Sequence, residues 1–170
     1  MSHPADVTQL LASAKRAILR ALTNEVEAET RLEGQLALAE IAWLEGDYPS
    51  AHSNAQAIIV EATQHEQRAV LARATELLGS LLAAEGDLEQ ATRHFEQTIR
   101  LYHVSGMRLE RAHALQSYAV ALLETQESAT STRKPAVRLL NEALHLYEES
   151  QAQPARHACE QLLAAGQLQL

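Results

Sequence analysis

Cys159, His94 and His103 carry the side chains from which a thiolate nucleophile or a metal site is usually built. Their spacing supports neither. A helical metal pair needs histidines at i, i+3 or i, i+4, and none of the eight histidines has a neighbour at those distances. A nucleophile needs a base brought beside it, and nothing local brings either histidine to the cysteine. Glu33 with Glu40, and Glu148 with Glu149, are the paired carboxylates that acid–base chemistry would need. Acidic helix surfaces carry such pairs routinely. No catalytic residue, metal or cofactor is therefore assigned, and the expectation is a protein that is not an enzyme.

The composition says what must hold these side chains. Of 170 residues 46% are apolar but only 4% aromatic, so the core is built from small and straight-chain residues, which favour helices over sheets. With 4 prolines and 6 glycines, long uninterrupted elements are expected. A formal charge of −8 repels phosphate backbones and anionic lipid, which sets aside nucleic acid and membrane as partners. The opening MSHPADVTQL has neither the basic nor the apolar region of a signal peptide. The single cysteine fits a reducing compartment, and a cytoplasmic location is expected.

The organising feature is repetition. LEGDYPSA at residues 44–51 returns as AEGDLEQA at 84–91, 40 residues on. Gly46 and Gly86 suit the left-handed position past a helix end, and Asp47 and Asp87 suit the cap of the next helix. Gln90 stands where it could complete a capping box. Ala39, Gly79 and Ala119 precede the turn positions, while Ala51, Ala91 and Ala136 follow them. Small residues at facing points let two helices approach closely, and Leu38, Leu78, Tyr118, Ile59, Ile99 and Leu144 fill the gaps beside them.

This arrangement resembles the tetratricopeptide repeat (TPR): an apolar and a small residue together, then an apolar residue, Gly-Asp and Ala. The clearest copy is 72–105, through Leu78, Gly79, Leu82, Gly86, Asp87, Leu88, Ala91, Phe95, Ile99 and Leu101. The copy at 32–65 matches through Leu38, Ala39, Ala42, Gly46, Asp47, Tyr48, Ala51 and Ile59. In the third, Gln126 replaces the turn glycine and ESATSTRK adds five residues before Ala136. The 40-residue period is longer than the usual unit of about 34, and is similar to the repeats of kinesin light chains and of maltose-type bacterial regulators.

The resemblance implies an all-α, right-handed superhelix of helical hairpins in one domain, 1–170. The expected parts are a flanking helix at 5–22, repeats at 24–64, 67–104 and 107–151, and a capping helix at 154–165. Repeat helices are expected near 24–45, 48–64, 67–85, 88–104, 107–126 and 133–151, with SATSTRKP (128–135) as a surface loop. The resemblance also implies a scaffold that binds proteins or peptides on its concave face. The positions it directs there are Glu33, Leu36, Glu40 and Trp43; Arg73, Glu76 and Ser80; and His113, Gln116 and Val120. One Arg against three Glu does not match the Lys, Asn and Arg clamp of carboxylate-binding repeats. It suits a basic, or apolar-plus-basic, segment, with Trp43 as the aromatic anchor and Glu40 and Glu76 meeting the cation. The alternatives are a self-assembling homo-oligomeric module and a ligand-sensing segment of a larger bacterial regulator.

Overall fold

The backbone reverses direction at Gly46, Glu66, Gly86, Gly106 and Gln151, and each time in the same way. All five residues take left-handed conformations, with φ of 81°, 55°, 88°, 70° and 55°. Each donates its N–H to the carbonyl three residues back, and the residue after it donates five residues back. Gly86 thus bonds Ala83 at 3.1 Å while Asp87 bonds Leu82 at 2.9 Å. This is the Schellman closure, which satisfies carbonyls that a helix end would otherwise leave without donors.

These turns join five neighbouring pairs among eight helices in a computed structural model that describes residues 4–23, 27–124 and 129–167. They are α1 Pro4–Leu22, α2 Ala28–Glu45, α3 Tyr48–Gln64, α4 Arg68–Ala84, α5 Leu88–Val104, α6 Arg108–Glu124, α7 Ala129–Glu149 and α8 Gln153–Gln167. No strand occurs among the described residues. Helices α3 to α6 are 17 residues long, and each begins 20 residues after the one before. The backbone therefore repeats every 20 residues, inside the 40-residue repeat of side chains.

Asp47 and Asp87 cap α3 and α5, accepting the N–H of Ser50 at 3.3 Å and of Gln90 at 3.0 Å. The expected capping box is revised. The backbone N–H of Asp87 is spent in the turn, so the Gln90 amide donates to the Asp87 carboxylate instead, at 2.5 Å. Ser50 lowers the Asp47 carboxyl below its ordinary 3.8 through its hydroxyl first and its N–H second; for Asp87 the Gln90 N–H leads and its side chain follows. A depressed carboxyl contributes stability above its unfolded pKa and loses it as pH falls through the folded value. The melting temperature should therefore drop below about pH 4. An Asp47→Asn/Asp87→Asn variant, which keeps a capping oxygen but cannot titrate, should show a smaller acid loss than wild type in a calorimetric pH series. Equal losses would remove the caps from the acid response.

The chain divides into two compact units, Met1–Leu77 and Leu78–Leu170. In the first, α1 packs on α2 and α2 on α3. Leu32, Leu36 and Ala39 of α2 are fully buried, as are Ala51, Ala55 and Ala62 of α3. Leu22 lies over Gly34, where an added Cβ would stand 2.8 Å from its Cδ2. Lys15–Glu45 at 2.7 Å fixes α1 to α2, and Arg31–Glu61 at 2.5 Å fixes α2 to α3.

In the second unit, Gly79 faces Ala91, His94 and Phe95. A Cβ there would stand 3.4 Å from the His94 Cβ and 3.5 Å from the Ala91 carbonyl oxygen. One carbon fits at ordinary contact, and a branched side chain has no space beyond it. Gly79→Leu is expected to destabilise by about 1–3 kcal/mol through overpacking. Denaturant unfolding checks it, with Gly79→Ala as the small control; equal midpoints for the two would mean the helices part freely.

The segment 128–135 is not the expected loop. Ser128 lies outside the described residues, but α7 begins at Ala129 and carries Pro135 within it. Once Ala136, Leu140, Ala143 and Tyr147 are packed, extending the helix backwards costs little per residue. Most of the inserted length becomes helix. The expected third-repeat turn at Gln126 lies outside the described residues.

Candidate partner-binding face

Glu33, Leu36, Glu40 and Trp43 follow one another at i, i+3, i+7 and i+10, which puts them on one side of α2. Glu33 is exposed, and Glu40 and Trp43 are half-buried. Leu36 is 0% exposed, so its assignment to a binding face is corrected. It belongs to the i, i+4, i+7 row of Leu32, Leu36 and Ala39, which forms the core edge of the same helix. The Trp43 indole lies 5.2 Å from the ring of Tyr48, tilted by 48°. The pair spans the turn at Gly46 and leaves part of an aromatic surface open to solvent, Tyr48 being 44% exposed.

Arg73 of α4 reaches across to this face, its Nη2 2.7 Å from Glu40 Oε1. Glu40 is thus not waiting for a partner's cation, because it already holds a guanidinium of its own chain. Glu76 is half-buried one turn further along α4. Glu33, Glu40, Glu76 and Arg73 all lie within Met1–Leu77, and Glu40–Arg73 is the ion pair the structure forms among them.

The remaining expected residues lie in Leu78–Leu170. Ser80, Gln116 and Val120 are half-buried and His113 is exposed. His113 and Gln116 share an intramolecular task. The hydroxyl of Tyr147, fully buried in the hydrophobic cluster, donates to Gln116 Oε1 at 2.9 Å. It also lies 3.1 Å from His113 Nδ1, whose N–H then serves as the donor to the phenol oxygen. The His113 and Tyr147 rings meet edge-on at 5.3 Å. These two residues satisfy the hydrogen bonding of a buried phenol.

Three features of this unit escaped the sequence reading. Arg111 ties α6 to Glu142 of α7, and its Nη1 lies 3.2 Å from His103 Nδ1. Tyr118 stacks on Phe95, centroids 5.2 Å apart, and donates to the Thr92 hydroxyl at 3.2 Å. Beside it a recess of about 280 Å³ opens among α5, α6 and α7, with Ile99, Leu115 and Leu139 lining it and Arg138 at its rim. It is large enough for one apolar side chain.

Cys159 is fully buried, its thiol 3.4 Å from the Leu140 carbonyl oxygen. Burial pushes the thiol up to about 11, with the Glu160 carboxylate adding to the rise, so at neutral pH it stays protonated and unreactive. No group of three His, Cys, Asp or Glu able to hold a metal ion occurs among the described residues. No described helix is long and apolar enough to cross a membrane.

No protein-family model matches the sequence, and no curated protein does. Among solved structures, the chain is similar to the crystal structure of the nearly identical TPR-like repeats of a kinesin light chain from Podosopora anserina. The identity is 18%, the TM-score 0.62, and the match covers 98% of this chain and 87% of that one. The likeness shows the fold, which is an all-α, TPR-like helical repeat.

Proposed function

We propose, from this TPR-like fold and the face built on α2 and α4, that the protein is a non-catalytic scaffold binding a protein or peptide. One observation carries the reading. A half-open Trp43–Tyr48 pair shares its side of α2 with Glu33 and Glu40, and Glu40 is bonded to Arg73 of α4, one turn before Glu76. An aromatic platform beside an excess of negative charge favours a segment with an apolar side chain flanked by lysine or arginine. A cation arriving there exchanges with Arg73 for Glu40 and adds to the field of Glu33 and Glu76.

Affinity capture from the source cell, followed by mass spectrometry, identifies candidate partners, and calorimetry on purified pairs tests the face. Trp43→Ala and Glu76→Lys are each expected to weaken binding by at least about tenfold, or roughly 1.4 kcal/mol. Added salt should weaken the wild-type complex, because exposed charges are screened. Circular dichroism accompanies both variants, since Trp43 also packs on Tyr48. Two folded variants that bind as wild type would rule out this face.

A further inference from the structure

We infer that the outer side of α1 is a self-association surface on which two copies of this chain pair antiparallel. The inference concerns a different surface from the α2–α4 face and does not depend on it. Helix α1 meets α2 through Leu11, Lys15, Ile18 and Leu22, which are half-buried. Beside that contact runs a second apolar row: Val7, Leu10, Ala14, Ala17 and Ala21, all exposed. Leu10 is 67% exposed and Val7 46%. The 3-4-3-4 spacing confines the row to an arc of about 80° at 100° per residue. That is the a/d seam of a two-helix coiled coil, and it runs for two heptads. Leu19, 48% exposed, lies on the other flank and is not part of it.

Charge complementarity identifies the occupant. Asp6 and Arg20 stand just outside the row on its solvent side, two heptads apart, and neither has an ion-pair partner among the described residues. In an antiparallel pair of copies, Asp6 of each meets Arg20 of the other, giving two symmetric ion pairs. Between them, Ser13 meets its own copy near the two-fold axis. In a parallel pair the two copies of each residue lie on opposite flanks of the seam, Asp6 faces the Leu11 flank that packs on α2, and neither ion pair forms. The surface is therefore self-complementary in one orientation only, as an isologous dimer requires. The three alanines let the helix backbones approach closely, while Val7 and Leu10 supply the buried apolar area. A seam of this length supports a reversible monomer–dimer equilibrium.

Sedimentation equilibrium on the full chain, from low micromolar to millimolar concentration, is the test. Wild type is expected to shift from monomer to dimer as concentration rises. Leu10→Lys should weaken dimerisation by at least about tenfold. Asp6→Arg and Arg20→Asp should each weaken it, and the double variant should recover wild-type affinity. Leu10 and both charges are exposed, so circular dichroism should find all variants as helical as wild type. A wild type monomeric throughout, a dimer indifferent to Leu10→Lys, or a double variant no better than the singles would each overturn the proposal.

Discussion

Replacing Phe95 by alanine is expected to remove about 3–5 kcal/mol of stability, a large share of the 5–15 kcal/mol that holds a typical domain together. Phe95 is fully buried, and its ring lies flat against Tyr118 with an interplanar angle of 15°. Its Cδ1 also lies 3.5 Å from the position where Gly79 lacks a Cβ. The loss has two parts: apolar surface returned to water, and a cavity that rigid neighbours cannot collapse to fill. Gly79 cannot help, having no side chain to swing into the space. Tyr118 is held by its bond to Thr92. At roughly 2–4 °C per kcal/mol for a chain of this size, the melting temperature should fall by about 6–20 °C. Phe95→Leu, which keeps most of the volume, should lose much less. Similar melting temperatures for the two would show that the site repacks, and that Gly79 and Phe95 are not a fixed pair.

Removing α8 by truncation after Ser150 should be comparably damaging. Cys159 is part of the same buried cluster as Leu140, Ala143 and Tyr147, and Leu162 and Leu163 pack half-buried against it. Full burial of one leucine is worth about 1.5–3 kcal/mol. Two half-buried leucines and a buried cysteine therefore approach the Phe95 effect. The truncated chain also presents the uncovered α7 row to other molecules. Light scattering should show aggregates or high oligomers, together with a lower melting temperature. A soluble monomer as stable as the full chain would make α8 an appendage. These aggregates would persist in Leu10→Lys, which separates them from dimers formed through α1.

The turns show what the sequence made legible. Gly46 and Gly86, each followed by a capping Asp, announce both the conformation and the start of the next helix. α3 and α5 accordingly begin and end where expected. Glu66 and Gln151 take the same left-handed conformation without glycine, and Gly106 takes it without a following Asp. Their turns are specified by the backbone bonding that ends each helix, which leaves no mark on the side chains. The 40-residue repeat was therefore written in side chains, whereas the 20-residue spacing entered only through the expected helix starts near 48, 67, 88 and 107, against 48, 68, 88 and 108 observed. The six small residues at Ala39, Gly79, Ala119, Ala51, Ala91 and Ala136 are all buried, because close helix contact selects for size, and size is written in the sequence.

The candidate site was less legible. A position within a repeat gives the side of a helix, but Leu36 shows that the core begins within the same arc. The partners of side chains were also hidden, since Glu40 with Arg73, and Tyr147 with His113 and Gln116, meet across 31 to 34 residues of chain. Ser, Thr and Lys before Pro135 read as a loop by composition. Helix propagation from a packed segment outweighed that preference.

Pro135 also sets how α7 opens in time. It has no amide, so the Ser131 carbonyl finds no donor four residues on, and the helical ladder is interrupted there. Among the described side chains of α7, those of the buried cluster begin at Ala136, after the gap. Amide protons of residues 132–134 should thus exchange with solvent through a local opening. Those from 140 onward wait for a larger unfolding event, because they share the fate of Leu140, Ala143 and Tyr147. One continuous helix accordingly behaves as two kinetic segments, and residues 132–134 can open and close without loosening the packing they precede.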